Sequence, residues 1–385
     1  MKLAVPKEHA EGEHRVALVP ESVKKLTSAG FIISVERDAG IAAHFPAEQY
    51  AAAGATIVDD PGALVGNADF VLRLGPPALT GQGAPHDLGH MRPGAMLLSS
   101  LMPTRNISVV RALADRRVTA FSTDAIPRTT RAQSMDTLSA MANIAGYKGS
   151  LMAALELNRY APMLMTAAGT IVPAKFFIIG AGVAGLQAIA TAKRLGANVF
   201  ATDVRPEVKE QIESVGARYV GITLDKSASA GGGYAAELSE ADRARQRELL
   251  AEQCAASNAV ITTALVGGVF APKLITAAMV RSMKPGSVII DLAAEGGGNC
   301  ELSRPGHTVV ENGVKIIAPL NLAATMPTDA SVLWSRNVTN FLLAFWKDKA
   351  FNLDLNDEIL RGALITHDGQ IVHAKTKEAA AATTT

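Results

Sequence analysis

Hydrophobic residues fall into short runs separated by longer amphipathic stretches, and that alternation repeats along the whole chain. Runs at 3–5, 31–35, 56–58, 70–74, 95–98 and 119–121 are too short for helices and suit buried parallel strands. Stretches at 21–29 and 109–114 carry the helical period between them. A second series has strands at 176–179, 197–202, 218–222, 259–264 and 287–292, with a helix over 272–283. A long helical pattern at 138–157 joins the two series. This order predicts an α/β fold of two Rossmann-like, doubly wound parallel-sheet domains separated by a ligand cleft. The first domain takes 1–137 plus 330–385, and the second takes 138–329. Asn312-Gly313 and Asp368-Gly369 lie between apolar runs and predict hairpins, the former closing the second sheet with antiparallel strands. A helix is expected over 331–346, whereas 378–385 lacks periodicity and is expected to fray or lead to a partner.

The most informative stretch runs from Phe176 through Gly180, Gly182, Val183 and Gly185. Three glycines at G-x-G-x-x-G spacing end a strand and open a segment of good helix formers, closed by Gly196 as its C-cap. Gly180 permits the tight turn, Gly182 lets a pyrophosphate approach, and Gly185 lets helix and strand pack closely. The helix N-terminus supplies unpaired N–H groups and a positive dipole end. Asp203 stands at the end of the next strand, where a carboxylate accepts both hydroxyls of an adenosine ribose and repels a 2′-phosphate. This favours NAD(H) over NADP(H). Arg205 argues the other way, because a guanidinium there can accept a 2′-phosphate.

A polar cluster, Arg128-Thr-Thr-Arg131-Ala-Gln133-Ser-Met-Asp136-Thr-Leu-Ser139, lies at the crossing between domains. Gln133 carries the donor and acceptor that a nicotinamide carboxamide needs, and Asp136 could hold Arg128. Capping of the following helix is an equal reading of the same residues. Gly231-Gly232-Gly233-Tyr234 suits a mobile lid that orders on nucleotide binding, or a plain surface insertion.

Composition narrows the choices. A net charge of +1 with 19% charged residues gives no electrostatic case for nucleic acid or an anionic membrane surface. Cys254 and Cys300 form no C-x-x-C and read as buried small hydrophobes in a reducing compartment. Residues 1–7 carry no signal-peptide core, and the uncharged run 253–272 is broken by Ser257, Asn258, Thr262, Thr263 and Gly267-Gly268, so no membrane insertion is expected. His86 and His90 flank Gly89 after Pro85 and share no helix face, so no metal site is expected. Lys7, Glu8 and Arg15 follow the first strand as ligand groups or as a solvated loop.

Taken together, Pro6-Lys7-Glu8, Glu13-His-Arg15-Val-Ala17, Arg131-Ala-Gln-Ser-Met-Asp136, Thr166-Ala-Ala-Gly-Thr170, Gly180 to Leu186, Ala201-Thr-Asp-Val-Arg205, Ile289-Ile-Asp-Leu-Ala293 and Gly297-Gly-Asn-Cys300 give the chain a family likeness. It resembles the proton-translocating NAD(P) transhydrogenases, in domain I of their alpha subunit, over almost its whole length. The fold is shared with alanine dehydrogenase. That enzyme's pattern places a catalytic lysine where this chain has Gly75 and a catalytic histidine near Ser100. Amino-acid dehydrogenation needs a proton-transfer group there, whereas hydride exchange between two nicotinamide rings does not.

The resemblance implies an oxidoreductase and translocase component. Arg128, Gln133, Asp136 and Ser139 would face the nicotinamide and its ribose. Gly180, Gly182, Val183, Gly185, Asp203 and Arg205 would hold the pyrophosphate and adenosine ribose, with Ala264 and Leu265 also on the cofactor and Gly233 and Tyr234 on a closing loop. It further implies NAD(H) as cofactor, a homodimer formed through the second domain, and an NADP(H)-binding beta subunit with membrane-spanning subunits as partners. The expected place is cytoplasmic, peripheral on the inner face of a bacterial inner membrane. The rivals are an alanine-type dehydrogenase and a non-catalytic NAD(H)-binding regulatory module.

Overall fold

The computed structural model describes residues 1–79, 88–222, 229–230, 234–235, 239–265 and 271–382. From the N-terminus, β1 (Lys2–Val5), β2 (Ile32–Glu36), β3 (Thr56–Val58), β4 (Phe70–Leu72), β5 (Met96–Ser99) and β6 (Thr119–Ser122) alternate with α1 (Pro20–Ser28), α2 (Ala47–Ala52), α3 (Pro61–Gly66) and α4 (Ile107–Asp115). Proline opens α1 and α3, where its fixed φ suits the first turn and its missing N–H costs nothing. Asp60 caps α3 by accepting the N–H groups of Gly62 and Ala63. These six strands pair in parallel wherever they meet. The chain then leaves along α5 (Thr137–Glu156).

The middle of the chain builds β7 (Leu164–Thr166), β8 (Gly169–Ile171), β9 (Lys175–Ile179), α6 (Val183–Arg194), β10 (Asn198–Thr202), α7 (Val208–Ser214) and β11 (Arg218–Tyr219). It continues through β12 (Ser229–Ala230), β13 (Tyr234–Ala235), α8 (Glu240–Ala256), β14 (Ala259–Thr262), α9 (Ala277–Ser282), β15 (Val288–Asp291), β16 (Thr308–Glu311) and β17 (Val314–Ile317). Among the described residues its main sheet has the order β11-β10-β9-β14-β15-β17-β16. The chain winds outward from β9 through β10 and β11, then crosses back to β14. The switch point between β9 and β14 is where open α/β sheets take their ligands. Alternate residues of β9 feed opposite cores: Phe176 and Ile178 pack on one face, Phe177 and Ile179 on the other. Burial on both faces explains why these strands read as unbroken apolar runs.

The last segment, α10 (Pro327–Ala344), β18 (Trp346–Lys347), β19 (Ala350–Phe351), α11 (Glu358–Ala363), β20 (Leu364–His367), β21 (Gln370–Ile371) and α12 (Ala374–Ala382), rejoins the first unit. Among the described residues the first sheet reads β21-β20-β6-β5-β4-β1-β2-β3. Ser331 and Ser335 of α10 accept the N–H groups of Val16 and Val19, each at 3.0 Å. Phe341 makes edge contacts with Phe121 and Phe345. By compactness, one unit is Met1–Met141 with Ala323–Thr385 and the other is Ala142–Leu322. The sequence had set these crossings at 137 and 329.

Both hairpin turns form, with Asn312 at φ 49°, Gly313 at 74°, Asp368 at 45° and Gly369 at 78°, the left-handed backbone such turns require. Four expectations need correction. The strand expected over 218–222 stops at Tyr219. In the closing hairpin β16 alone is antiparallel, since β17 lies parallel to β15. The helix expected over 272–283 begins only at Ala277, because Thr276 caps it by accepting the Met279 N–H and Ile275 bridges to Cys300 in extended form. The tail expected to fray is helical to Ala382, and the Arg111 guanidinium fastens it by donating to Ala380 O at 2.7 Å.

Candidate dinucleotide site

The end of β9 is shaped by what glycine lacks. Gly180 has φ 92°, and a Cβ on it would lie 2.7 Å from Thr263 Oγ1. A Cβ on Gly185 would lie 1.9 Å from Gly180 O, so another residue there would push α6 off the turn. Gly182 differs: among the described residues a Cβ would meet nothing within 4 Å, which leaves open space over the first turn of α6. Val183 at that turn is exposed. The residues therefore fit a dinucleotide pyrophosphate, with free approach at Gly182 and close packing at Gly180 and Gly185.

Asp203 follows β10 and turns back to the glycine turn. Its Oδ2 accepts the Ala181 N–H at 2.8 Å and Arg205 Nη2 at 2.8 Å, while Oδ1 accepts the Arg205 N–H at 3.0 Å and Nε at 2.9 Å. The side chains of Arg205 and Asp203 are 15% and 7% exposed. Burial pushes the Asp203 carboxyl up, but the Arg205 side chain and the N–H groups of Ala181 and Arg205 outweigh it and hold it below the usual carboxylate range. The bond to Asp203 raises the Arg205 guanidinium in turn. Arg205, read from sequence as a possible phosphate ligand, is thus neutralised by the carboxylate beside it.

Ala264 and Leu265 leave β14 beside the same turn. Thr263 donates its N–H to Ile179 O at 2.9 Å and its hydroxyl to Gly180 O at 3.0 Å. Ala264 is held by Asn299, whose Oδ1 accepts its N–H at 3.0 Å. Sequence reading gave no role to Thr263 or Asn299. A signal existed for the latter in Gly297-Gly-Asn-Cys300, where two glycines precede a polar residue that ends up fully buried. Gly233 and the rest of the Gly231–233 run lie outside the described residues, and Tyr234 falls in β13, paired with β12.

In the first unit, Gln133 lies exposed on a 3₁₀ turn, Thr130–Met135, whose Ala132 and Met135 are buried. Asn337 and Asn340 of α10 both donate to Ser134 O, at 2.8 and 3.1 Å. Arg131 Nη2 reaches both oxygens of Asp357 at 2.6 Å. Asp136 accepts the Ser139 N–H at 2.8 Å and the Ser139 hydroxyl at 2.6 Å. Among the described residues its carboxylate serves Ser139, not Arg128 as the sequence suggested, and it caps α5. The capping reading of this stretch is met at Asp136 and Ser139, and Gln133 is exposed.

Several charged residues after β1 are paired. Glu8 Oε2 accepts Arg73 Nη2 at 3.0 Å and Oε1 accepts the Leu74 N–H at 2.6 Å, with both side chains buried. Lys7 gives its backbone N–H to Glu36 at 2.7 Å. Glu13 takes Arg15 Nε at 2.7 Å and Nη2 at 2.5 Å. Gly75 contributes no side chain, and the Ser100 hydroxyl donates to Asp124 at 3.0 Å. Cys254 and Cys300 are buried free thiols, and burial pushes Cys254 up to about 12. Among the described residues no His, Cys, Asp and Glu cluster could hold a metal ion; His86 lies outside them.

A parallel sheet with an open glycine turn at its switch point, followed by a helix and a carboxylate at the next strand end, defines a Rossmann-type dinucleotide-binding oxidoreductase domain. Family models described as "Alanine dehydrogenase/PNT, N-terminal domain" and "Alanine dehydrogenase/PNT, C-terminal domain" match residues 4–145 and 149–374, and the chain belongs to that family. It is 47% identical over 379 residues to the first portion of the NAD(P) transhydrogenase alpha subunit of Rhodospirillum rubrum, covering 97% of this chain and 98% of that one. The solved transhydrogenase of Sinorhizobium meliloti superposes with a TM-score of 0.87 at 41% identity, over 97% of this chain and 100% of that one. A solved L-alanine dehydrogenase shares the fold, with a TM-score of 0.81 at 24% identity over 98% and 99% of the two chains. In this family the Rossmann domain binds NAD(H), which the glycine turn and Asp203 suit.

Proposed function

We propose that the chain is the NAD(H)-binding component of a proton-translocating transhydrogenase, passing hydride between NADH and NADP+ held on a partner component. The observation that carries this reading is that neither position 75 nor position 100 holds a lysine or histidine. Gly75 offers no side chain, the Ser100 hydroxyl is committed to Asp124, and Arg15 and Arg73 are neutralised by Glu13 and Glu8. Removing hydride from an amino acid requires a group that takes the proton from its nitrogen. Exchange between nicotinamide rings does not. The likeness to a transhydrogenase alpha subunit at 47% identity supports the same choice over an amino-acid dehydrogenase.

Bound NAD(H) supplies the hydride donor or acceptor; the chain binds and orients it. The Gly180, Gly182 and Gly185 turn with Val183 would receive the pyrophosphate, and Asp203 with Arg205 the adenosine ribose. Ala264 and Leu265, with Gly233 and Tyr234, would line the cofactor. Gln133 would orient the nicotinamide through its carboxamide, on a turn that Arg128, Asp136 and Ser139 shape. The exposed hairpin of β7 and β8, with Met165 at 72% exposure and Val172 and Tyr160 also exposed, supports a homodimer formed through the second unit. Among the described residues no helix is long and apolar enough to cross a membrane. We therefore assign attachment at the inner face of the bacterial inner membrane to membrane-spanning subunits and to the NADP(H)-binding beta subunit.

The test is single-turnover hydride exchange from NADH to a nicotinamide analogue, with an NADP(H)-loaded partner present. Activity is expected there and none with alanine or pyruvate. Turnover of alanine without a partner would overturn the reading, and NADH binding with no exchange would leave the regulatory module. Gln133→Asn should slow exchange about a hundredfold while NADH affinity holds, because a misplaced ring loses rate and the adenosine end keeps its contacts.

A further inference from the structure

Three strand ends, those of β9, β14 and β15, lie side by side at the carboxyl edge of the second sheet. One side chain from outside them bonds to the chain just past the end of the middle strand. Asn299 is fully buried. Its Oδ1 accepts the Ala264 N–H at 3.0 Å, and its Nδ2 donates to Ala264 O at 2.8 Å and Pro272 O at 2.9 Å. A single amide thus pairs with both backbone groups of Ala264, as a neighbouring strand would. Regular pairing of β14 ends at Thr262, so the Ala264 groups have no ladder partner and need another. A real strand there would bring its own side chains over the crevice. An asparagine delivers the bonds and leaves the edge open.

Asn299 is itself fixed from below. Asp291, the last residue of β15, is fully buried; its Oδ2 accepts the Cys300 N–H at 3.0 Å and the Ser303 hydroxyl at 2.6 Å. Its Oδ1 accepts the Thr262 hydroxyl at 2.8 Å and the Ala293 N–H at 3.2 Å. Gly298 sits at φ 81° and so close that a Cβ would lie 2.6 Å from Asp291 Oδ2. At the far end of this chain of contacts, Ala264 N lies 3.3 Å from where a Cβ on Gly180 would stand. Bonds therefore run without a break from Asp291 through residues 299–300 to Ala264, and Ala264 abuts the glycine turn.

We infer that Asn299 is a positioning residue of the dinucleotide site: it fixes the backbone of Ala264 against the Gly180 turn, so that this strand end is formed before NAD(H) arrives. The inference rests on the dinucleotide reading of the second unit and adds a residue that does not itself touch the cofactor. It makes a specific chemical demand. In Asn299→Asp one oxygen still accepts the Ala264 N–H, but the other faces two carbonyl oxygens. Protonation of that carboxyl restores one donor.

NADH titration of the full chain tests this with wild type, Asn299→Asp and Asn299→Ala, alongside thermal melts. Both variants should bind NADH about tenfold or more weakly at pH 8. As pH falls, affinity relative to wild type should recover in Asn299→Asp and not in Asn299→Ala, a split that general loosening of the fold would not produce. Folded variants that match wild-type affinity would overturn the role, as would an Asp variant with no recovery. Should the variants not fold, amide exchange of wild type decides. The Ala264 N–H should be protected without NADH and little changed by it, and rapid exchange that slows only with NADH would overturn preformation. Wild type that fails to bind NADH would sink the dinucleotide reading itself, a result distinct from equal binding by all three proteins.

Discussion

The two parallel sheets of this chain finish their carboxyl edges in opposite ways. On the first, side chains pair off: Glu8 with Arg73 and Glu13 with Arg15 as ion pairs, and the Ser100 hydroxyl on Asp124. On the second, β9 ends in a backbone turn open at Gly182, with the N-terminus of α6 behind it. Similar winding therefore does not make similar sites. An edge closed by paired side chains has less to offer an anion, because the Arg15 and Arg73 guanidinium groups already face carboxylates. An edge built from glycine backbone presents donors that the fold cannot satisfy internally. Asp203 stands between these extremes, since its carboxylate is clamped by Arg205 yet lies at the ligand edge.

The largest effect should come from breaking the closed edge. Glu8→Ala would leave the buried Arg73 guanidinium without its carboxylate, at a cost of about 3–5 kcal/mol in denaturant unfolding. NADH affinity of the folded protein should be unchanged, so a loss of affinity without loss of stability would mean that the first edge serves the cofactor directly. Next, Asp203→Ala should weaken NADH binding by about 1–3 kcal/mol. It should also free Arg205 to take a 2′-phosphate, so NADPH should gain where NADH loses. Equal losses for both nucleotides would assign discrimination elsewhere. The smallest effect is expected at Arg131, which pairs with Asp357 but is 55% exposed. Arg131→Ala should cost less than about 1 kcal/mol in a melt, because Asn337 and Asn340 still hold the turn at Ser134 O.

The features legible in the sequence were those whose physical demands are local. A glycine at φ 92° followed by one pressed against its carbonyl announces itself within six residues. Asn312-Gly313 fixes its turn within two. Asp203 was legible because a strand end at that spacing has a known geometric relation to the turn. Arg205 left two readings open because sequence shows its charge but not its pairing with Asp203. Asn299 went unseen for another reason: its partner Ala264 is 35 residues away. The serines of α10 bond to backbone 315 and 316 residues earlier, and the helix at 374–382 depends on Arg111, 269 residues before Ala380. A periodicity scan sees no such link. It could report that the tail lacked an amphipathic pattern, but not that a distant guanidinium would fasten it.

The first sheet is made from both ends of the chain. Strand β6 pairs on one side with β5 and on the other with β20, so Ala120 meets Thr366 only after the intervening segment has been laid down. On a ribosome, residues 142–322 emerge as one uninterrupted piece and can close their sheet while the first sheet still lacks β20, β21 and α10. Until then the outer edge of β6 has unpaired backbone groups, and Phe121 lacks its contact with Phe341. Translation begins with the first unit but completes the second one first. The last-made residues serve as the closing stitch, and a nascent chain stalled before residue 364 would display a bare strand edge to its surroundings.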